Sequence, residues 1–285
     1  MTRPTAPILH TALAVDPRAD PRLARLPGVL PLDPARWLRV DEAYAAQMAE
    51  RERLLAERPG DVLACLPEGR EAAGELMALV LDDLATREGF VVGRDHVRRP
   101  DGVTVGVDAE APLATVGRLV QGDFCLLAKP GGAEEPGEEP GKGAGEGASK
   151  GLGEGAEHVL VAAVLCFPAR WTLAEKIGRP LLRIHRPVAS YDPAIAMRVQ
   201  RLFDGVQAGR PMWRANLLSY HDPALFQPRR EDDPPLRHEG PAGYVRSEFQ
   251  TIRRLPRSGA VAFGIHTVVV RREDAVARPD DGTRP

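Results

Sequence analysis

The stretch VRSEFQTIRRLPRSGAVAFGIHTVVV, residues 245–270, decides the fold. Both of its halves are rich in β-branched and aromatic residues, and Pro256-Arg257-Ser258-Gly259 separates them. That pattern predicts two strands, 244–255 and 260–271, joined by a turn. Upstream, MWRANLLSY (212–220) reads as a further strand, followed by a polar, Pro-rich loop over 221–243. Before it, residues 192–207 predict a helix. Asp192 is placed to cap it, Pro193 occupies its first position, and Ile195, Val199, Leu202, Phe203 and Val206 form an apolar stripe. RPLLRIHRPV (179–188) reads as mostly irregular, and residues 171–177 as a short helix ended by Gly178.

Further toward the N-terminus, 158–167 reads as a strand. ATVGRLVQGDFCLLAK (114–129) reads as a strand pair or one bent strand. Between them, PGGAEEPGEEPGKGAGEGASKGLGEG (130–155) holds almost nothing that can be buried, so it is expected to be a disordered acidic insertion in a hairpin turn. Residues 90–112 read as extended pieces and turns. Two helices are expected earlier, from near Pro34 to Arg58 and from Pro67 to Glu88.

Two strands, a helical crossover and three strands predict an α+β fold. The sheet would be five-stranded and mainly antiparallel, with helices on one face. This is the element order of a PAS domain, in which sheet and crossover enclose a pocket. Residues 1–35 are expected to be irregular and 36–272 to form a single PAS-like domain with an N-terminal helical extension. Residues 273–285 would be a loose tail.

Composition narrows the function. The 38 Lys+Arg against 40 Asp+Glu give a net charge of -2, so nothing in the overall charge favours nucleic acid or an acidic membrane. Aromatics make up 5%, too few for a base-stacking platform. Cys65, Cys125 and Cys166 are far apart and match no zinc or cluster spacing, which suits a reducing cytoplasm. No signal peptide or membrane span is expected. Gly93, Gly102 and Gly106 form no dinucleotide fingerprint.

Several residues are candidates for chemistry. His185 follows Leu182 and Ile184 and precedes Pro187; it is either a core histidine bonded to a carbonyl or an axial ligand to heme iron. His266 shares a strand face with Gly264 and Val268, and is either structural or a pocket group. Arg214 and Asn216 alternate with Trp213 and Ala215, while Arg246, Glu248 and Gln250 alternate with Ser247, Phe249 and Thr251. These polar sets face either solvent or a pocket, and an Arg214–Glu248 pair requires neighbouring strands. Glu175-Lys176 reads as a helix surface pair or a reductase-docking point.

FPARWTLAEKIGRPLLRIHRPVASY (167–191), MWRANLL (212–218) and the 245–270 stretch resemble the heme-binding alpha subunit of heme-dependent oxidative N-demethylase, of the dimethylamine monooxygenase type. WLRVDEAYAAQMAERERLL (37–55) is similar too, so the likeness covers roughly 30–270 apart from the insertion. The resemblance implies a PAS-like heme domain that oxidises a methyl group of a small secondary amine with O2. Electrons would come from NADPH through FMN and 2Fe-2S centres on partner subunits. It implies His185 as the proximal ligand, Arg214, Glu248 and His266 as distal catalytic groups, and Arg246 and Trp213 as further heme contacts. A heme-based gas or redox sensor and a non-catalytic binding protein are the alternatives.

Overall fold

The computed structural model describes residues 6–24, 27–129, 157–186 and 192–275. The expected acidic insertion and the last ten residues of the expected tail lie outside them.

Among the described residues, ten strands form two sheets. In chain order they are β1 (Leu30–Pro31), β2 (Leu63–Cys65), β3 (Val91–Val92), β4 (His96–Arg98), β5 (Thr104–Gly106), β6 (Asp123–Ala128), β7 (Val159–Val164), β8 (Met212–Tyr220), β9 (Tyr244–Arg254) and β10 (Val261–Arg271). The helices are α1 (Pro21–Ala24), α2 (Tyr44–Glu57), α3 (Pro59–Val62), α4 (Arg70–Leu84), α5 (Pro112–Leu119), α6 (Leu173–Lys176), α7 (Leu181–His185) and α8 (Pro193–Gly205).

The main sheet has seven strands in the order β1-β8-β9-β10-β6-β7-β2, every neighbour antiparallel. The small sheet runs β3-β4-β5. The chain is therefore α+β, with five long strands where the sequence predicts them. Two short edge strands bring the five expected strands to seven. Their two and three residues are too few to show a period.

The expected single layer of helices is corrected as well, because helices cover both faces. Side chains alternate across a strand, so each residue on β8, β9 and β10 belongs to one face or the other. Phe124, Leu126, Ala162, Val164, Trp213, Ala215 and Phe249 pack with Leu54, Leu76, Val80, Val116 and Leu119 of α2, α4 and α5. Cys125, Leu127, Ala163, Ile252, Val261 and Ile265 pack with Leu173, Leu181, Phe203 and Val206 from the crossover.

Local chemistry explains most boundaries. Asp192 caps α8, its Oδ1 accepting from the Ile195 N–H at 2.7 Å, with Pro193 at the first position. The β9–β10 turn ends at Gly259, whose φ of +67° suits glycine. Buried Glu75 of α4 accepts from the turn's Arg257 N–H at 2.6 Å and Ser258 N–H at 2.8 Å. At Gly264 a Cβ would lie 2.4 Å from Thr251 Oγ1, so a side chain there would collide across the ladder.

Residues 112–119 form helix α5, not the strand suggested by Thr115, Val116 and Val120. Leu113, Val116 and Leu119 are its buried face, a three-residue spacing that belongs to a helix. Likewise, one helical turn, α7, replaces irregular chain at 181–185. The N-terminal stretch lies over the surface through specific bonds. The His10 N–H donates to the Val269 carbonyl at 2.7 Å, and Leu13 is fully buried. Among the described residues no helix is long and apolar enough to cross a membrane.

Candidate functional site

On β9, consecutive residues are buried on both faces of the sheet, so neither side meets bulk solvent. The solvent-facing reading of Arg246, Glu248 and Gln250 is thereby excluded: they are 1%, 5% and 8% exposed. Register places Asn216 opposite Glu248 and Arg214 opposite Gln250. These residues share the face that packs against the crossover helices, together with Ile252 and Met212.

Glu248 is the hub of this face. Its Oε1 accepts from Arg246 Nε at 3.3 Å, and its Oε2 accepts from Asn216 Nδ2 at 2.9 Å and Gln250 Nε2 at 3.0 Å. The expected Arg214–Glu248 pair does not form; Arg246 and Asn216 take the contacts instead. Arg246 is itself fully engaged, donating also to the carbonyls of Leu225 and Phe167 and to Thr267 Oγ1. Its role here is to tie the loop after β8 and the end of β7 to the sheet.

Arg214 stands differently. Among the described residues it makes no ion pair, and its buried Nε has no acceptor. Burial lowers its pKa, with the more distant Glu248 charge acting in the opposite direction. A half-buried guanidinium with an unpartnered Nε and no anion is costly, and such a group calls for a ligand. Gln250 adds a second unmet atom, since its Oε1 is buried and accepts nothing.

His185 ends α7 on the same side. Its Nδ1 lies 2.9 Å from the Leu181 carbonyl oxygen. A carbonyl only accepts, so Nδ1 carries the hydrogen and Nε2 carries the lone pair. Burial lowers the imidazole's pKa. The Leu181 bond opposes this, and the positive charges of Lys176 and Arg214 add to it. The ring is thus held neutral with its tautomer set, as in a metal-ligating histidine whose other nitrogen is anchored on a carbonyl.

His266 and Trp213 lie on the opposite face. Register pairs His266 with Phe249, and Trp213 stacks on Phe249 with ring centroids 5.1 Å apart. The structure therefore does not bring them together with His185, Arg214 and Glu248. His266 Nε2 donates to Asp41 Oδ2 at 2.7 Å. His10 Nε2 donates to the same oxygen at 2.9 Å, and Gln121 Nε2 donates to Oδ1 at 2.7 Å. Burial opposes ionisation of Asp41, but the two imidazole donors outweigh it and hold the carboxyl well below its usual range. Burial lowers the pKa of His266 in turn.

The Asp41 cluster was not foreseen from sequence, because its members are 31 and 225 residues apart. Cys125 and Cys166 are buried small hydrophobes, whereas Cys65 is exposed. Burial pushes the Cys125 and Cys166 thiols up to about 12, so neither is a thiolate ligand.

The crossover face thus holds one neutral imidazole, one guanidinium lacking an anion, and a bonded carboxylate beside an unfilled amide oxygen. A model of the family described as haem-dependent oxidative N-demethylase, alpha subunit-like, matches residues 28–284. The match takes in both faces of the sheet, and the family's description implies heme and the presence of other subunits. The chain belongs to the haem-dependent oxidative N-demethylase alpha subunit-like family.

Proposed function

We propose that this chain is the heme-carrying subunit of an O2-dependent oxidative N-demethylase acting on a small secondary amine such as dimethylamine. The observation that carries the reading is a pair of groups on one side of one sheet. They are a half-buried neutral imidazole at His185 and a half-buried guanidinium at Arg214, its Nε buried, with no carboxylate of its own. The residues fit heme. His185 offers Nε2 as the single protein ligand to iron, and Arg214 suits a propionate carboxylate, which a guanidinium binds in bidentate fashion. Leu181, Phe203, Ile252 and Ile265 supply apolar walls. The sheet order supports a PAS-like architecture for residues 36–272. Taken as five, the long strands run third, fourth, fifth, first, second, with the helical crossover between second and third.

When bound, heme supplies the activation of O2, with electrons from NADPH through FMN and 2Fe-2S centres on partner subunits in the cytoplasm. The protein's own contribution is to hold the amine. A secondary ammonium has two N–H donors. Glu248 uses three of its roughly four acceptor positions on Arg246, Asn216 and Gln250, which leaves one. The unfilled Gln250 Oε1 is the second acceptor. Together they match two N–H groups, while the apolar walls receive the methyl groups and exclude water. Arg246 and Asn216 hold the carboxylate for that task.

The test is to load the purified chain with hemin, record its visible spectrum, and supply dimethylamine, O2 and a reductant. A Soret band and formaldehyde are expected. A colourless protein after heme addition overturns the cofactor reading. A heme protein that yields no formaldehyde overturns the enzymatic one and leaves a sensor.

A further inference from the structure

Lys176 was expected on a helix surface, yet it is buried and 3% exposed. Its Nζ donates to the Ile184 carbonyl at 2.9 Å and to Glu231 Oε1 at 2.5 Å. The Ile184 carbonyl is one residue before His185, in the last turn of α7, where helix carbonyls lack intrahelical partners. Arg183, on the preceding residue, donates to both oxygens of the same Glu231 carboxylate at 2.9 and 3.1 Å. These two cations bring Glu231 down to about 2, Arg183 contributing most.

Glu231 belongs to the loop between β8 and β9 and is itself fastened to α6. Its N–H donates to Glu175 Oε1 at 3.2 Å, and Glu175 Oε2 accepts from Thr172 Oγ1 at 2.6 Å. The two residues just before His185 are therefore gripped by one carboxylate and one ammonium. A five-residue helix does not hold its own shape in isolation, so this grip matters to where the ring sits.

We propose that Lys176, braced by Glu231, is the positioning residue for the His185 imidazole, pinning the last turn of α7 so that the ring is presented to heme. The inference rests on the assignment of His185 as ligand. It gives the loop between β8 and β9 a direct hold on the iron ligand.

The experiment loads wild type, Lys176→Met, Glu231→Gln and His185→Ala with hemin. It measures heme transfer to excess apomyoglobin and, in the ferrous proteins, the iron–histidine stretching band. Circular dichroism confirms that each variant is folded. Lys176→Met is expected to lose heme at least tenfold faster, about the lower bound for removing a ligand's outer partner, and to shift or broaden the band. A purely structural role for Lys176 would not move that band in folded protein. Glu231→Gln changes both in the same direction but less, because Lys176 keeps its bond to Ile184. If the methionine variant does not fold, Glu231→Gln decides. An unchanged rate and band, with His185→Ala losing heme, overturns the positioning role and leaves the ligand assignment intact. Retention of heme by His185→Ala overturns both.

Discussion

The two faces of the main sheet carry buried charge in opposite states. On the face toward α2, α4 and α5, the Asp41 carboxylate receives donors from His10, His266, Gln121 and the Ala43 N–H, and buried Asp123 pairs with Arg51 of α2. The Asp41 carboxylate is thus satisfied from within the protein, while His266 Nδ1 is left without a partner among the described residues. On the face toward the crossover, Arg246 pairs with Glu248, while Arg214 makes no ion pair among the described residues. A fold can keep a satisfied carboxylate for stability alone, but a half-buried cation without an anion is a cost unless something binds it. Arg253 on the other face also leaves its Nε without an acceptor, but its guanidinium lies 4.6 Å over the Trp37 ring. Arg214 has no such contact among the described residues, and this difference points to the crossover face as the ligand face.

The largest effect that can break this comparison is loss of the cofactor itself. His185→Ala is expected to abolish the Soret band, while His266→Ala keeps it, since register places His266 beside Phe249 on the other face. The visible spectrum of the two variants after hemin loading decides, and the reverse result would exchange the roles of the faces.

How much of this was legible in the sequence follows from the same geometry. Alternation in 245–270 shows that Glu248 and Gln250 share a face and that Phe249 does not. It does not show which residues of β10 lie beside them. The 256–259 turn leaves the register open by one residue, and a one-residue slip would move His266 to the other side. Hence the sequence leaves His266 free to join Arg214, Glu248 and His185. Trp213, next to Arg214 on β8, is on the other face by alternation alone, so its place among the heme contacts has no support in the strand pattern. Helix α5 was hidden because its β-branched residues favour strands locally, while burial of Leu113, Val116 and Leu119 against the core overrides that preference. The Asp41 cluster and the Lys176–Glu231 clamp join residues far apart in sequence, where no local pattern exists. The five long strands and α8 were legible because each carries its own period or cap.

A smaller effect sharpens the contrast between a closed and an open cluster. Asp41→Ala removes the shared acceptor of two imidazoles and an amide, and is expected to lower the unfolding free energy by about 3 kcal/mol in urea titrations. Heme content should not change. Arg214→Met should do the opposite. It keeps the aliphatic stem and removes an unpaired half-buried cation, so the heme-free protein gains about 1 kcal/mol. Heme affinity falls by about tenfold to a hundredfold, the loss of a charge-assisted bond. If Arg214→Met weakens the heme-free protein as Asp41→Ala does, the crossover face is as self-contained as the other.

The smallest effect concerns protons. Burial lowers the pKa of a histidine on each face, and His158 beside α8 carries the best-defined case, down to about 4. Its Nδ1 accepts from Gln200 Nε2 at 2.9 Å, and its ring packs edge-on against Phe203. Below pH ~6.5 the unfolded chain protonates this ring, whereas the folded protein leaves it neutral until about 4. The unfolded state therefore binds more protons across that window, and stability falls as pH falls. Each such histidine contributes a slope of up to about 1.4 kcal/mol per pH unit. His158→Gln is expected to remove one such slope between pH ~6.5 and ~4, read from urea titrations at half-unit steps. His185 and His266 contribute in the same direction, so a residual slope remains. Heme binding at His185 keeps the folded ring neutral even at lower pH, because the proton and the iron compete for Nε2. The heme-loaded protein should therefore retain a steeper acid dependence than the heme-free one, and only a change of residue on the crossover face should alter that difference.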